Sequence, residues 1–196
     1  MTGSVTQSAR LRIQGQGQAD QHQPDLFDAK LRNVVRYADP AAWTCAVSAV
    51  HALASVPDRL SGDRDRVGVI VVCDDGPQEA MQALDEAAVK GFSSPLKFPA
   101  GNPGSLVGVT CILLGFRGPT LNFIMPPASG VPAGLVMAAG WLQRNVCSHV
   151  LLTASSRAAG ATPNARTLLL TAPQDGPAST SLLSPAELTW LSFVDS

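Results

Sequence analysis

Two adjacent prolines, Pro126 and Pro127, constrain this chain more than any other feature. They follow a short run of β-type residues, 120–125, and precede small and apolar residues reaching about Asn145. Proline has no backbone N–H and a fixed φ, so a strand cannot continue through the pair. The pattern predicts a strand, a sharp turn, a helix and a second apolar strand at 150–154. Ser129 is placed to cap the helix. Such a turn aims a helix N-terminus at a small space. In acyl transfer that place holds a nucleophile, because the helix dipole and free N–H groups lower a thiol's pKa and stabilise an oxyanion. Here the turn carries prolines, and no cysteine occurs between Cys111 and Cys147.

Composition narrows the class. A chain of 196 residues with 45% apolar residues supports one well-buried core. The expected organisation is a loose N-terminus over 1–9, one domain over 10–175 and a tail over 176–196. Formal net charge is −1 and the 14 Lys and Arg are scattered, which argues against a nucleic acid partner. The longest apolar run, 106–116, is interrupted and too short to span a bilayer, and no apolar signal segment opens the sequence, so a cytoplasmic protein is expected. Cys45, Cys73, Cys111 and Cys147 sit in apolar contexts without Cys-x-x-Cys spacing and read as buried thiols.

Strand and helix patterns alternate along the chain. Leu11-Arg-Ile-Gln-Gly-Gln-Gly17 alternates as a strand with Leu11, Ile13 and Gly15 on one side; Asp20 stands where a dinucleotide fingerprint needs its third glycine, so the glycines read as close-packing positions. A helix is expected from Asp25 to Tyr37. Asp39-Pro40 then caps another, with Trp43, Val47, Val50 and Ala54 on its apolar face. His51 has no partner in sequence and reads as structural. Residues 57–65 read as a solvated charged loop. The run Val67-Gly-Val-Ile-Val-Val-Cys73 suggests a strand covered on both faces. Asp74 and Asp75 follow; two adjacent carboxylates can hold a metal, but capping the helix 77–90 is favoured, with Ala80, Met81, Leu84 and Ala88 as its buried face. A helix at 102–114 carries Gly104-x-x-x-Gly108, read as close helix packing, and residues 166–172 form another strand. The tail from Ser184 to Phe193 reads as a short docking helix or an apolar end awaiting a partner.

The segment Ser94-Pro95-Leu96-Lys97-Phe98-Pro99, followed by Asn102-Pro103, Gly108 and Gly115-Phe116-Arg117-Gly118-Pro119, leads into the proline corner. Together with the strand, turn and helix after it, this stretch resembles the nucleophile region of the β-ketoacyl synthases, and the opening strand resembles theirs. In the family's pattern threonine, alanine and the catalytic cysteine occupy the turn; laid on without gaps, these positions are Met125, Pro126 and Pro127. The resemblance covers about 10–172. It implies half of a thiolase-like α/β fold, with a five-stranded mixed, mainly parallel sheet and helices on both faces. The catalytic histidines of complete ketosynthases lie in the second half; His22, His51 and His149 match none of them.

What the resemblance implies is a non-catalytic pseudo-ketosynthase, an accessory or scaffold partner in fatty acid, polyketide or aryl polyene assembly, without cofactor or metal. A homodimer or a heteromer with a ketosynthase is expected, with an acyl carrier protein as a further partner. In the family, the strand before the nucleophile pairs across the dimer axis, which makes Thr120, Leu121, Asn122, Phe123 and Ile124 the candidate interface; a place in the central core is the alternative. Two other functions stay open: an acyl-CoA or carrier-protein binding module, and an acyl-transfer enzyme of changed chemistry using Ser129, Asp74 or Asp75.

Overall fold

The computed structural model describes residues 11–92, 94–158, 161–173 and 189–191. In chain order come β1 (Arg12–Ala19), a 3-10 turn at Pro24–Leu26, α1 (Ala29–Val34), α2 (Pro40–Ala52), β2 (Val67–Cys73), α3 (Gln78–Val89), α4 (Ser105–Leu114), β3 (Thr120–Ile124), α5 (Pro127–Gln143), β4 (His149–Ser156) and β5 (Asn164–Thr171). The strands form one five-stranded sheet in the order β1-β5-β4-β2-β3. β2 is parallel to β3 and β4, whereas β5 is antiparallel to β4 and β1. Four strands therefore point one way, and β5 runs against them. The chain steps from β2 outward to β3, then back past β2 to β4. Right-handed crossovers made in opposite directions put α4 and α5 on opposite faces.

All seven residues of β2 are buried. Val67, Val69, Val71 and Cys73 join a core with α2 and α4, while Ile70 and Val72 join one with α5. Period-two alternation explains why a continuous apolar run means two covered faces. α2 was expected to bury one stripe, yet every residue from 41 to 50 is buried and Ala54, past its end, is exposed. The helix is rich in alanine, and β1 comes close to it through glycine. A Cβ on Gly15 would overlap the Ala52 carbonyl oxygen, and one on Gly17 the Ser48 carbonyl oxygen, as close-packing positions require. Leu11, Ile13 and Gly15 do not share a side. A register shift between Ile13 and Gly15 turns Leu11 and Ile13 toward the α5 core and Gly15 toward α2.

Several local expectations change. The helix expected at 25–37 is divided, because Asp28 caps α1 by accepting from the Lys30 amide at 2.8 Å. α3 buries none of its residues: Met81 is 52% exposed and Ala88 is open, and the helix leans on a 3-10 turn at Phe98–Gly101 through Leu84. Its stripe is real, but it is covered only in part, by that turn. The helix at 102–114 starts at Ser105, and no atom would meet a Cβ on Gly108, so no backbone packs there. The charged stretch at 57–65 is anchored: Ser148 Oγ donates to Asp63, Arg117 to Asp65, and neighbouring Arg66 to Asn145. Of the tail, residues 189–191 are helical, with Leu191 buried against the α5 core; the rest of that expected helix lies outside the described residues.

The Gly17→Ala variant must push α2 away from β1 and is expected to lose about 2–4 kcal/mol in urea unfolding. Gly62→Ala, where nothing lies within 4 Å of the added carbon, is expected to stay within about 0.5 kcal/mol of the parent.

Candidate functional site

The carboxyl ends of β1, β2, β3 and β4 lie along one edge of the sheet, and α2, α3 and α5 all begin there. Free amides of helix N-termini thus converge on it, and each needs an acceptor. One carboxylate serves two helices. Asp39, 1% exposed, accepts from the Ala41 amide of α2 at 2.8 Å and from the Ala80 amide of α3 at 2.9 Å. Arg157 stands beside it, with Nη2 4.0 Å from Asp39 Oδ1 and Nη1 donating to Glu79 at 2.6 Å. Asp39 was legible as the cap of α2; its second helix and Arg157 were not, since both contacts join residues far apart in sequence.

Asp74 and Asp75 do not cap α3, whose cap position is Pro77. Asp74 instead accepts from Ser156 Oγ at 3.1 Å and from the Asp75 amide at 3.1 Å. Asp39 reaches the α3 amide because α2 starts beside that helix, which removes the role expected of the adjacent pair. Among the described residues no group of three or more His, Cys, Asp and Glu lies close enough to hold a metal.

The corner itself is a short turn. Pro126 takes φ −53° and ψ 136° at the cap position, and its carbonyl accepts from the amides of Ser129 at 2.9 Å and Gly130 at 3.0 Å. Ser129 is therefore inside the first turn of α5, exposed, and does not cap it; the helix begins at Pro127 and ends at Gln143, short of Asn145. Pro127 starts it without needing a donor, and that displaces the cap three residues back, to Pro126. Pro126 and Pro127 also remove the first two amides that could face an oxyanion, leaving Ala128 as the earliest. Met125 lies over the turn: a Cβ on Gly130 would meet its side chain and Val72. The first turn of α5 thus carries two prolines and packs on a thioether.

Neither a thiol nor an imidazole among the described residues is poised at this corner. Cys73 ends β2 opposite Ile124, but its side chain belongs to the α2 and α4 core, on the face away from α5. Burial raises its pKa, and also raises those of Cys45 and Cys147; Cys111, half-buried, is pushed up to about 11. Ser155 Oγ lies beside the Cys45 and Cys73 thiols, buried and without a bond of hydrogen-bonding geometry. His51 Nδ1 meets the Gln18 carbonyl at 2.7 Å, and His22 stacks on Trp43 at 4.3 Å. His149 opens β4 at the opposite edge, 2.9 Å from Ser148 Oγ. Burial holds its pKa below the ordinary 6.5; Asp63 opposes that shift, and Arg66 adds to it.

β3 is the last strand of the described sheet and pairs there with β2 alone. It is an edge strand rather than central core. Leu121 and Phe123 pack toward α5, Asn122 Nδ2 donates to the Pro103 carbonyl at 2.8 Å, and Thr120 and Ile124 are exposed. In a parallel ladder both polar groups of a residue turn to the same neighbour. Met125 N–H donates to Cys73 O and Val69 N–H donates to Pro119 O, so Thr120, Asn122 and Ile124 direct theirs outward.

The fold matches known structures. One is an ishigamide ketosynthase/chain length factor, with TM-score 0.65 and 13% identity over 85% of this chain and 63% of that one. Another is a complex of a type II acyl-carrier protein with its ketosynthase, AntDE:AntF, with TM-score 0.66 and 20% identity over 84% and 63%. A third, the ketosynthase ApeO in complex with its chain length factor ApeC from Xenorhabdus doucetiae, gives TM-score 0.62 and 14% identity over 94% of this chain and 91% of the matched one. The chain therefore has the ketosynthase-like half of a thiolase-like fold. It spans under two thirds of the first two structures and nearly all of the third chain. No family model matches the sequence, and no curated protein does.

Replacing Asp39 by Ala removes the buried acceptor shared by two helix ends and is expected to cost about 2–4 kcal/mol, with Asp39→Asn costing less because its carbonyl still accepts. Native protein at neutral pH is expected to alkylate at Cys73 at least about tenfold more slowly than urea-unfolded protein, read by peptide mass mapping. Because the folded pKa of His149 lies below its unfolded value, that residue's contribution is complete above pH 6.5 and is lost as pH falls below it. Unfolding midpoints should drop between pH 7.5 and 5.5, and His149→Asn should flatten the drop.

Proposed function

We propose that this chain is a non-catalytic ketosynthase-like subunit that pairs with a ketosynthase in an assembly extending carrier-bound acyl chains, of the fatty acid, polyketide or aryl polyene kind. The observation that carries the proposal is the corner. A ketosynthase-type strand, turn and helix is retained, while Pro126 and Pro127 supply neither an attacking atom nor the amides an oxyanion needs. Losing both removes nearly all the advantage of a covalent route. Architecture without chemistry fits a partner that shapes a neighbouring site.

The surfaces support pairing. β3 offers an outward row of amides and carbonyls that a second strand can complete. Beside it, Asn102 and Pro103 border an apolar cavity of about 570 Å³ between α3 and the turn at Phe98–Gly101, where Met81 and Phe98 stand 52% and 70% exposed. On the other face α5 has no charged residue in seventeen, and Val136 is 71% exposed. Apolar surface of this extent is ordinarily covered in an assembly. The likeness of fold to a chain of the ketosynthase ApeO in complex with its chain length factor ApeC supports a place beside a ketosynthase for this chain.

Co-expression with a ketosynthase from the same source is expected to yield a stable complex on size exclusion, and the double variant Thr120→Lys, Ile124→Lys to weaken it by about a hundredfold or more while leaving the unfolding midpoint unchanged. Retained pairing by that variant, or no complex at all, contradicts the assignment. Intact mass after incubation with acyl-CoA is expected to stay unchanged; a covalent acyl adduct would make the chain an enzyme, and saturable non-covalent acyl-CoA binding without a protein partner would favour a binding module.

A further inference from the structure

The connection from β1 to α2 borders a cleft that the ketosynthase-like reading does not use. It is open and shallow, has a volume of about 330 Å³, lies near the end of β1, and is lined by Arg32, Asn33, Arg36 and His22 together with Pro24, Ala29 and the buried Trp43. Trp43 is buried and fixed by Phe27, whose ring stands edge-on at 6.0 Å, and the His22 imidazole lies over it at 4.3 Å. The shelf that holds His22 is therefore part of the core.

The donors are arranged and under-used. Arg32 lies in α1 and Arg36 two residues past its end, and both line the cleft. Arg36 Nη1 donates to the Asn33 carbonyl at 3.0 Å and to Asn33 Oδ1 at 3.1 Å, and its guanidinium lies 4.7 Å from the Tyr37 ring centre, which holds the group near the mouth. Arg32 is paired only at Nη1, with the exposed Asp25 at 3.3 Å. Its Nε is buried and has no partner among the described residues. An unmade bond from a buried charged donor is costly, while the Arg32 side chain as a whole stays 35% exposed and open to a ligand. Among the described residues no carboxylate lines the cleft.

Two guanidinium groups, an amide and an imidazole beside apolar residues match one ligand chemistry. Planar forks of N–H donors suit the several oxygens of a phosphate, and a cleft of this size exceeds what a bare anion fills. We propose that this cleft binds an organic phosphate, with the phosphate between Arg32 and Arg36 and its carbon skeleton along Pro24, Ala29 and Trp43. The scattered charge elsewhere on the chain leaves no track for a nucleic acid backbone.

The test is NMR titration of the full chain at constant ionic strength, following the arginine Nε–Hε signals with inorganic phosphate and with phenyl phosphate, and with sodium chloride as control. Both phosphates are expected to shift the Arg32 signal saturably below about 10 mM, phenyl phosphate binding about tenfold more tightly because it also covers those apolar residues. Arg32→Ala and Arg36→Ala should each weaken phenyl phosphate by about tenfold or more, Arg32→Lys by less, and Arg144→Ala not at all. Absence of a saturable shift, or equal binding by the wild-type chain and Arg32→Lys and Arg32→Ala, overturns the site. Equal affinity for the two phosphates overturns the organic part and leaves an anion site. This result is independent of pairing with a ketosynthase.

Discussion

Everything in the fold has to accommodate a strand with no exposed residue. β2 is buried along its whole length, so it needs helices on both faces and a strand on each side. α2 and α4 cover one face, α5 covers the other, and β4 and β3 flank it. With the crossovers bound to one hand, these demands leave little choice of order. They also leave β3 outermost. The hydrogen-bonding groups that β2 must have on both sides are met by β3 on one of them, and β3 is left with an open side of its own.

The same arrangement gathers helix starts at one edge of the sheet. In an enzyme such a gathering is useful, because unpaired amides can stabilise developing negative charge. Here it is closed off by the chain's own groups. Asp39 takes an amide from each of α2 and α3, prolines begin α5 without donors, and Met125 rests on its first turn. The thiols nearby are buried and hard to ionise. Several donors and acceptors at this edge are thus met within the chain, whereas the surfaces of β3, α3 and α5 are open.

Parts of this were readable from sequence because they are local. The unbroken apolar run of β2, the Asp39-Pro40 cap, the tight glycines of β1 and the proline corner each follow from a few neighbouring residues. What escaped depends on distant partners. The apolar stripe of α3 was visible, but a stripe does not say what covers it, and here it is largely open. Ser129 had the right chemistry for a cap but lost the position to proline. The charges at 57–65 are mostly solvated, as the sequence suggests, but the ties of Asp63 to Ser148 and of Asp65 to Arg117 were hidden because those partners lie far along the chain. The cleft beneath His22 went unnoticed because it needs Arg32, Arg36 and Trp43 brought together by the path into α2.

The account stands or falls on whether the outer side of β3 is completed by another protein. Residue-resolved hydrogen exchange measures this at the amides of Thr120, Asn122 and Ile124, which face away from β2. In the isolated chain they should exchange at least about a hundredfold faster than the inward amides of Leu121 and Phe123, and saturating ketosynthase should slow them to match. Outward amides that keep exchanging rapidly in a formed complex would contradict it.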